Sequence, residues 1–216
     1  MKVENVFGSN LVRIQCKDAS IYRDEELTKT INQIFNSEMV QKRARNGKGD
    51  SHNGAGLTTV GQPYGLINYS GASKVVEWVS EQLLLSREHL GLANKGNKVY
   101  YKRSWANRLF RGGYGLCHRH IKVDEYMKSY GYKEENFRPD AVAILYVDVP
   151  EGSSNLVICR DGDDYVPIDN FKEEDMYSIK PIEGELLIHS PDIWHAVSVH
   201  NSDLPRNVFV FDIDYV

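Results

Sequence analysis

From Asn97 to Val216 the chain is a series of short segments rich in Val, Ile, Tyr and Phe, separated by clusters of Gly, Pro, Asn and Asp. They read "NKVYYKRSWANRLF" (one strand or two), "AVAILYVDVP", "NLVICR", "MYSIKPI", "GELLIHS", "WHAVSVH" and "RNVFVFDIDYV". Most are too short for a stable helix, and β-branched and aromatic residues suit a pleated surface. Strands of this length with a turn signal after each one predict an antiparallel sandwich or barrel.

The first half adds helices. In "RDEELTKTINQIF", Leu27, Ile31, Ile34 and Phe35 fall at helical spacing, and Asp24 is placed to cap the start. "SKVVEWVSEQLLLSREHLG" puts Val75, Val79 and Leu83 on one face and ends at Gly91. The expectation is a mainly β chain with flanking helices packed outside the barrel. It forms one domain over 1–216, with a helical annex and first strands in 1–95 and the barrel core in 96–216. The stretch Asp124–Asp140 reads as an insertion between strands and a possible lid.

The formal net charge of -4 provides no electrostatic attraction to nucleic acid, which is not expected as a partner. Three cysteines, Cys16, Cys117 and Cys159, without a CxxC argue against a disulfide framework and for a reducing compartment. No run approaches the roughly 20 apolar residues of a membrane helix, and the start lacks the apolar stretch of a signal peptide. The expected setting is cytoplasmic, with no membrane partner.

"GGYGLCHRHIKVDEY" places His118 and His120 two residues apart. On a strand both would face one way and reach one metal ion. A surface strand with two polar residues explains the pair equally well. His195 follows the turn of "HSPDIWHAV" at a strand start, where it would point into a barrel mouth. The plain alternative is a core histidine bonded to backbone. His189 is expected at a strand edge, and His200, beside Asn201 and Ser202, in a solvent-exposed turn. On the last strand, Arg206, Val208 and Val210 share one face while Phe209, Phe211 and Ile213 take the other. If the valine face lines the interior, Arg206 points inward and needs an anion, for which a carboxylate fits its planar fork; taken alone, the residue reads more simply as a solvated arginine at a strand end.

These segments, in order, resemble the iron(II)- and 2-oxoglutarate-dependent oxygenases, and more narrowly a group of them found in phages and marine bacteria. The carrying residues are "SWANRLFRGGYGLCHRH", "AVAILYVDVPEGSSNLVI", "EGELLIHSPDIWHAV" and "RNVFVFDI", with "SHNGAGLTT" ahead of the second helix. The resemblance implies a double-stranded β-helix, the jelly-roll, cupin-like barrel. It implies Fe(II) held by His118 and His195, and 2-oxoglutarate as cosubstrate gripped by Arg206, eleven residues after His195. The outcome it implies is hydroxylation of a small molecule or side chain, with release of succinate and carbon dioxide.

The chain departs from that family at two places. His120 stands where a carboxylate ligand is usual, so the third ligand is His120 itself, a later carboxylate or water. Asp124 and Glu125 are candidates for that place, or for accepting an imidazole N–H behind the ligands. Val208 stands where many members carry a serine, leaving Tyr101, Asn107 and Tyr146 as candidates to complete the cosubstrate's hydrogen bonding.

Two other readings compete. A cupin-type metalloenzyme would use the same histidines with Asp124 or Glu125 and leave Arg206 without a cosubstrate. A non-catalytic jelly roll would take up no metal. The sequence by itself points to no particular substrate and no oligomeric state.

Overall fold

The computed structural model describes residues 1–46, 55–121, 138–163 and 165–216. In chain order the strands are β1 (Lys2–Val6), β2 (Ser9–Gln15), β3 (Gly56–Thr58), β4 (Val99–Leu109), β5 (Gly115–His118) and β6 (Ala141–Asp148). They continue with β7 (Leu156–Cys159), β8 (Met176–Ile179), β9 (Glu185–His189), β10 (His195–Val197) and β11 (Arg206–Tyr215). Two antiparallel sheets result, one ordered β1-β2-β9-β6-β11-β4-β3 and the other β5-β10-β7-β8. "NKVYYKRSWANRLF" forms a single long strand, β4, and pairs along almost all of β11.

The large sheet is covered on both faces, which is why β6 reads "AVAILYVD" without alternation. Val142, Ile144, Tyr146, Leu187, Val208 and Val210 meet Leu156, Ile158 and Ile179 of the small sheet, forming the barrel interior. Ala143, Leu145, Leu186, Ile188, Phe209, Phe211 and Ile213 meet the helices behind. The two faces of β11 thus divide as its alternation requires, with Arg206 on the interior side.

The helices are α1 (Ala19–Tyr22), α2 (Glu25–Phe35), α3 (Glu38–Arg45) and α4 (Ser73–Ser86). Asp24 caps α2, accepting from the Glu26 and Leu27 amides, and Ser37 caps α3. Leu27, Val75, Val79 and Leu83 are fully buried against the sheet, each worth roughly 1.5–3 kcal/mol of apolar burial. The helix expected to run to Gly91 stops at Ser86. A short 3-10 turn follows, and Gly91 closes it in the left-handed conformation at φ 74°.

The hairpin of β1 and β2 extends the large sheet beyond β9, so β9 lies between β2 and β6. His189 is therefore in the sheet's interior and fully buried, not at an edge as its sequence position suggested. His200 is also fully buried, because the chain around it is pinned to the loop after β4. Gly112 N donates to His200 O at 2.7 Å and His200 N donates to Gly113 O at 2.8 Å. The expected lid lies outside the described residues except for its last three positions. No described helix is long and apolar enough to cross a membrane.

Candidate metal centre

β5 ends at His118, and His120 sits in the turn beyond it, anchored by its amide to Pro191 O at 3.1 Å. His195 opens β10 and pairs directly with His118. The rings gather: centroids are 4.4 Å apart for His118–His195, 5.2 Å for His120–His195 and 5.4 Å for His118–His120. One ring nitrogen from each lies within 4.8 Å of the others.

Hydrogen bonding decides which nitrogen. His118 Nδ1 lies 2.9 Å from Leu116 O and His195 Nδ1 lies 3.1 Å from Ile193 O. A carbonyl oxygen only accepts, so Nδ1 carries a proton in both, and in the neutral ring the lone pair is on Nε2. His120 Nδ1 donates to the Asp212 carboxylate at 2.6 Å, which directs its Nε2 away from that carboxylate. Burial, and then the neighbouring histidines, hold the His195 pKa well below its ordinary value. Imidazoles in this form are ligands for iron, zinc, copper or nickel, and the donor set fits a divalent transition metal.

A carboxylate does stand behind these histidines, although Asp124 and Glu125 lie outside the described residues. It is Asp212, fully buried on β11. Arg103 Nε donates to its second oxygen at 2.8 Å. Burial opposes the charge on Asp212, yet Arg103 and then His120 outweigh it and bring the carboxyl down to about 2. Trp105 fills the space between, stacked on His120 at 5.9 Å and under the Arg103 guanidinium at 5.1 Å. The sequence signal for Asp212 was its parity with Arg206, Val208 and Val210 on the interior face. Its distance from the histidine motif hid it.

A fourth histidine borders the cluster. The His189 ring is 5.1 Å from His195, its Nδ1 donates to Ser190 O at 2.7 Å, and its Nε2 has no partner. Burial, foremost, lowers its pKa to about 4.

Arg206 is 5% exposed. Its Nη1 donates to Ser154 Oγ at 2.8 Å, its guanidinium lies 5.2 Å from the Tyr146 ring centre, and its Nε has no partner. It forms no ion pair among the described residues. The Tyr146 hydroxyl is fully buried without a hydrogen bond, and burial raises its pKa against the opposing pull of Arg206. Asn107, opposite Val208 on β4, has a buried Oδ1 that is also unpaired. Ser154, in the turn of "PEGSSN", is the hydroxyl that the sequence reading missed. His200 holds that turn, accepting from Ser154 N at 3.3 Å and donating from Nε2 to Leu204 O at 2.8 Å.

Tyr101 is not brought to this side of the sheet. Its number has the parity of Arg103, Trp105 and Asn107, but a bulge intervenes: Asp212 pairs with Arg103 while Ile213 pairs with Tyr101. The extra residue, Lys102, reverses the facing. The Tyr101 hydroxyl contacts Ser80 Oγ at 2.7 Å and donates to Val76 O at 3.2 Å on α4, and its ring packs edge-on against Phe211. Trp194, next to His195, also faces away, in the outer cluster with Cys117 and Cys159 and beneath Arg119.

No family model matches the sequence, and no curated protein matches it. Solved structures do. The viral collagen prolyl hydroxylase of Paramecium Bursaria Chlorella virus-1, solved as a 2-oxoglutarate complex, aligns over 95% of this chain and 96% of its own at 15% identity and a TM-score of 0.57. The fold is that of the 2-oxoglutarate- and iron(II)-dependent oxygenases. A Pseudomonas putida prolyl-4-hydroxylase aligns over 95% of this chain and 92% of its own at 13% identity and a TM-score of 0.52. An oxidoreductase of the 2OG-Fe(II) oxygenase family from Burkholderia pseudomallei aligns over 68% of this chain at 10% identity and a TM-score of 0.47, and the chain spans 58% of that protein. The two sheets described above are thus the double-stranded β-helix shared with the two hydroxylases that align over nearly their whole length.

Proposed function

We propose that the chain, residues 1–216 acting as one domain, is a non-haem iron(II), 2-oxoglutarate-dependent dioxygenase. It hydroxylates a small molecule or a side chain and releases succinate and carbon dioxide. The observation that carries this reading is Arg206: a guanidinium 5% exposed, hydrogen-bonded to one hydroxyl and without an ion pair among the described residues. A buried, unpaired cation is costly, and a carboxylate ligand removes that cost. A cupin-type reading leaves this arginine without a purpose.

In the proposed site His118, His120 and His195 hold the iron through their Nε2 lone pairs. Iron(II), once bound, supplies the activation of dioxygen coupled to decarboxylation of the keto acid. Arg206 binds the far carboxylate of 2-oxoglutarate, with the Ser154 hydroxyl beside it. Tyr146 and Asn107 provide a buried hydroxyl and amide for its remaining polar atoms. Val208, Val210 and Leu156, buried together in the barrel interior, would keep water from the site. A cytoplasmic setting accords with three buried free cysteines.

Anaerobic titration of the chain with iron(II) and 2-oxoglutarate tests the reading. A visible charge-transfer band that needs both, and succinate formed once oxygen is admitted, are expected. Iron binding without any 2-oxoglutarate-dependent band or succinate would return the site to the cupin reading.

A further inference from the structure

His120 is the ligand that the sheet itself does not hold. β5 stops two residues earlier, and His120 stands in a turn. Its amide bond to Pro191 fixes the backbone but not the ring. The Trp105 ring is stacked beside it with centroids 5.9 Å apart, and stacking does not choose which nitrogen faces the other histidines. A residue of the opposite sheet makes that choice. Asp212 Oδ1 lies 2.6 Å from His120 Nδ1, and both side chains are buried. Arg103 engages the other carboxylate oxygen from the neighbouring strand. Each oxygen of Asp212 thus has one charged or strongly polar partner, and the carboxylate cannot rotate without losing both.

We propose that Asp212, anchored by Arg103, is a positioning residue for the metal: it fixes the tautomer and orientation of His120 and strengthens donation from its Nε2. The inference rests on the metal-site reading above. His118 and His195 have backbone carbonyls at Nδ1, whereas His120 has the Asp212 carboxylate there. A carboxylate accepts that proton more strongly than an amide carbonyl does, and it leaves the imidazole a better electron donor. The contact also joins the large sheet to the turn after β5, so ligand geometry depends on how the two sheets close on each other.

The test is Co(II) titration of the full chain, following the visible d–d bands. Asp212→Asn keeps the shape and an acceptor oxygen but removes the charge. The expected result is Co(II) affinity lowered about 10–100-fold with the bands shifted from wild type. Unchanged affinity and unshifted bands in the folded variant overturn the proposal while leaving the metal site intact. A wild-type chain that takes up no Co(II) overturns the site reading and this inference together. Should the variant not fold, the wild type loaded with diamagnetic Zn(II) decides by nitrogen–proton NMR. His120 Nδ1 is expected to carry a proton resonating downfield of those on His118 and His195. An unprotonated Nδ1, or a signal no further downfield than theirs, sinks the proposal.

Discussion

His195 lies directly across from His118 in the pairing of β10 with β5, their ring centres 4.4 Å apart. Backbone hydrogen bonding between two strands therefore sets the spacing of two proposed ligands that are 77 positions apart in the chain. Replacing His195 with Ala leaves two of the three proposed ligands, and an open site tolerates that poorly. Metal-free chain titrated with Fe(II) or Co(II) should gain thermal stability, by about 2.7 kcal/mol at a hundredfold excess over Kd. His195→Ala should lose both that gain and stoichiometric uptake. Tight one-to-one uptake by the variant would contradict the assignment.

Arg206→Ala should abolish 2-oxoglutarate binding while sparing metal uptake, because the guanidinium and the imidazoles do separate jobs. Arg206→Lys should recover little, since an ammonium lacks the planar two-pronged donor set. Ser154→Ala is a milder change, removing the hydroxyl 2.8 Å from Nη1. About a 1 kcal/mol loss of 2-oxoglutarate affinity is expected. Isothermal titration of each variant in the presence of Co(II) provides the comparison.

Tyr101 and Tyr146 face opposite sides of the large sheet, and matched Tyr→Phe variants should separate accordingly. Tyr101→Phe removes the hydroxyl bound to Ser80 and Val76, so it should lower unfolding stability by about 1 kcal/mol and leave 2-oxoglutarate affinity unchanged. Tyr146→Phe deletes a buried hydroxyl that makes no hydrogen bond of its own, so it should weaken 2-oxoglutarate binding without loss of stability. Urea unfolding and ligand titration on both variants check the pair.

Acid should destabilise the metal-free chain. Burial holds His189 neutral down to about pH 4, and burial with the neighbouring histidines holds the His195 pKa well below its ordinary value. The unfolded chain protonates these residues near pH 6.5. Below that value the unfolded state binds more protons, so stability falls with pH at about 1.4 kcal/mol per unit for each histidine. The His189 share is complete above about pH 6.5 and lost as pH falls towards 4. Asp212 adds a stabilising contribution of the same sign, complete above its ordinary value and lost as pH falls through about 2. Urea midpoints at pH 7.5, 6 and 5 with a chelator present should decline steadily; a flat profile would mean these imidazoles are hydrated.

Much of this arrangement was legible in local pattern. Alternation along β11 announced that Arg206 shares a face with Val208 and Val210, because a strand's side chains take opposite sides in turn. Helical spacing marked Val75, Val79 and Leu83 as one buried stripe, and a turn before His195 put it at a strand start. Such features depend on a few neighbouring residues, so they survive without knowledge of the rest. What depended on distant strands was invisible. The hairpin of β1 and β2 decided that His189 is interior. One extra residue, Lys102, turned Tyr101 to the helices. Closure of the two sheets brought Asp212 to His120 and Ser154 to Arg206. Sequence by itself determined the faces and the candidate ligands, since both follow from periodicity and side-chain chemistry. Only the tertiary structure decided which groups stand behind those ligands, because strand order and bulges, not sequence proximity, determine what meets across a barrel.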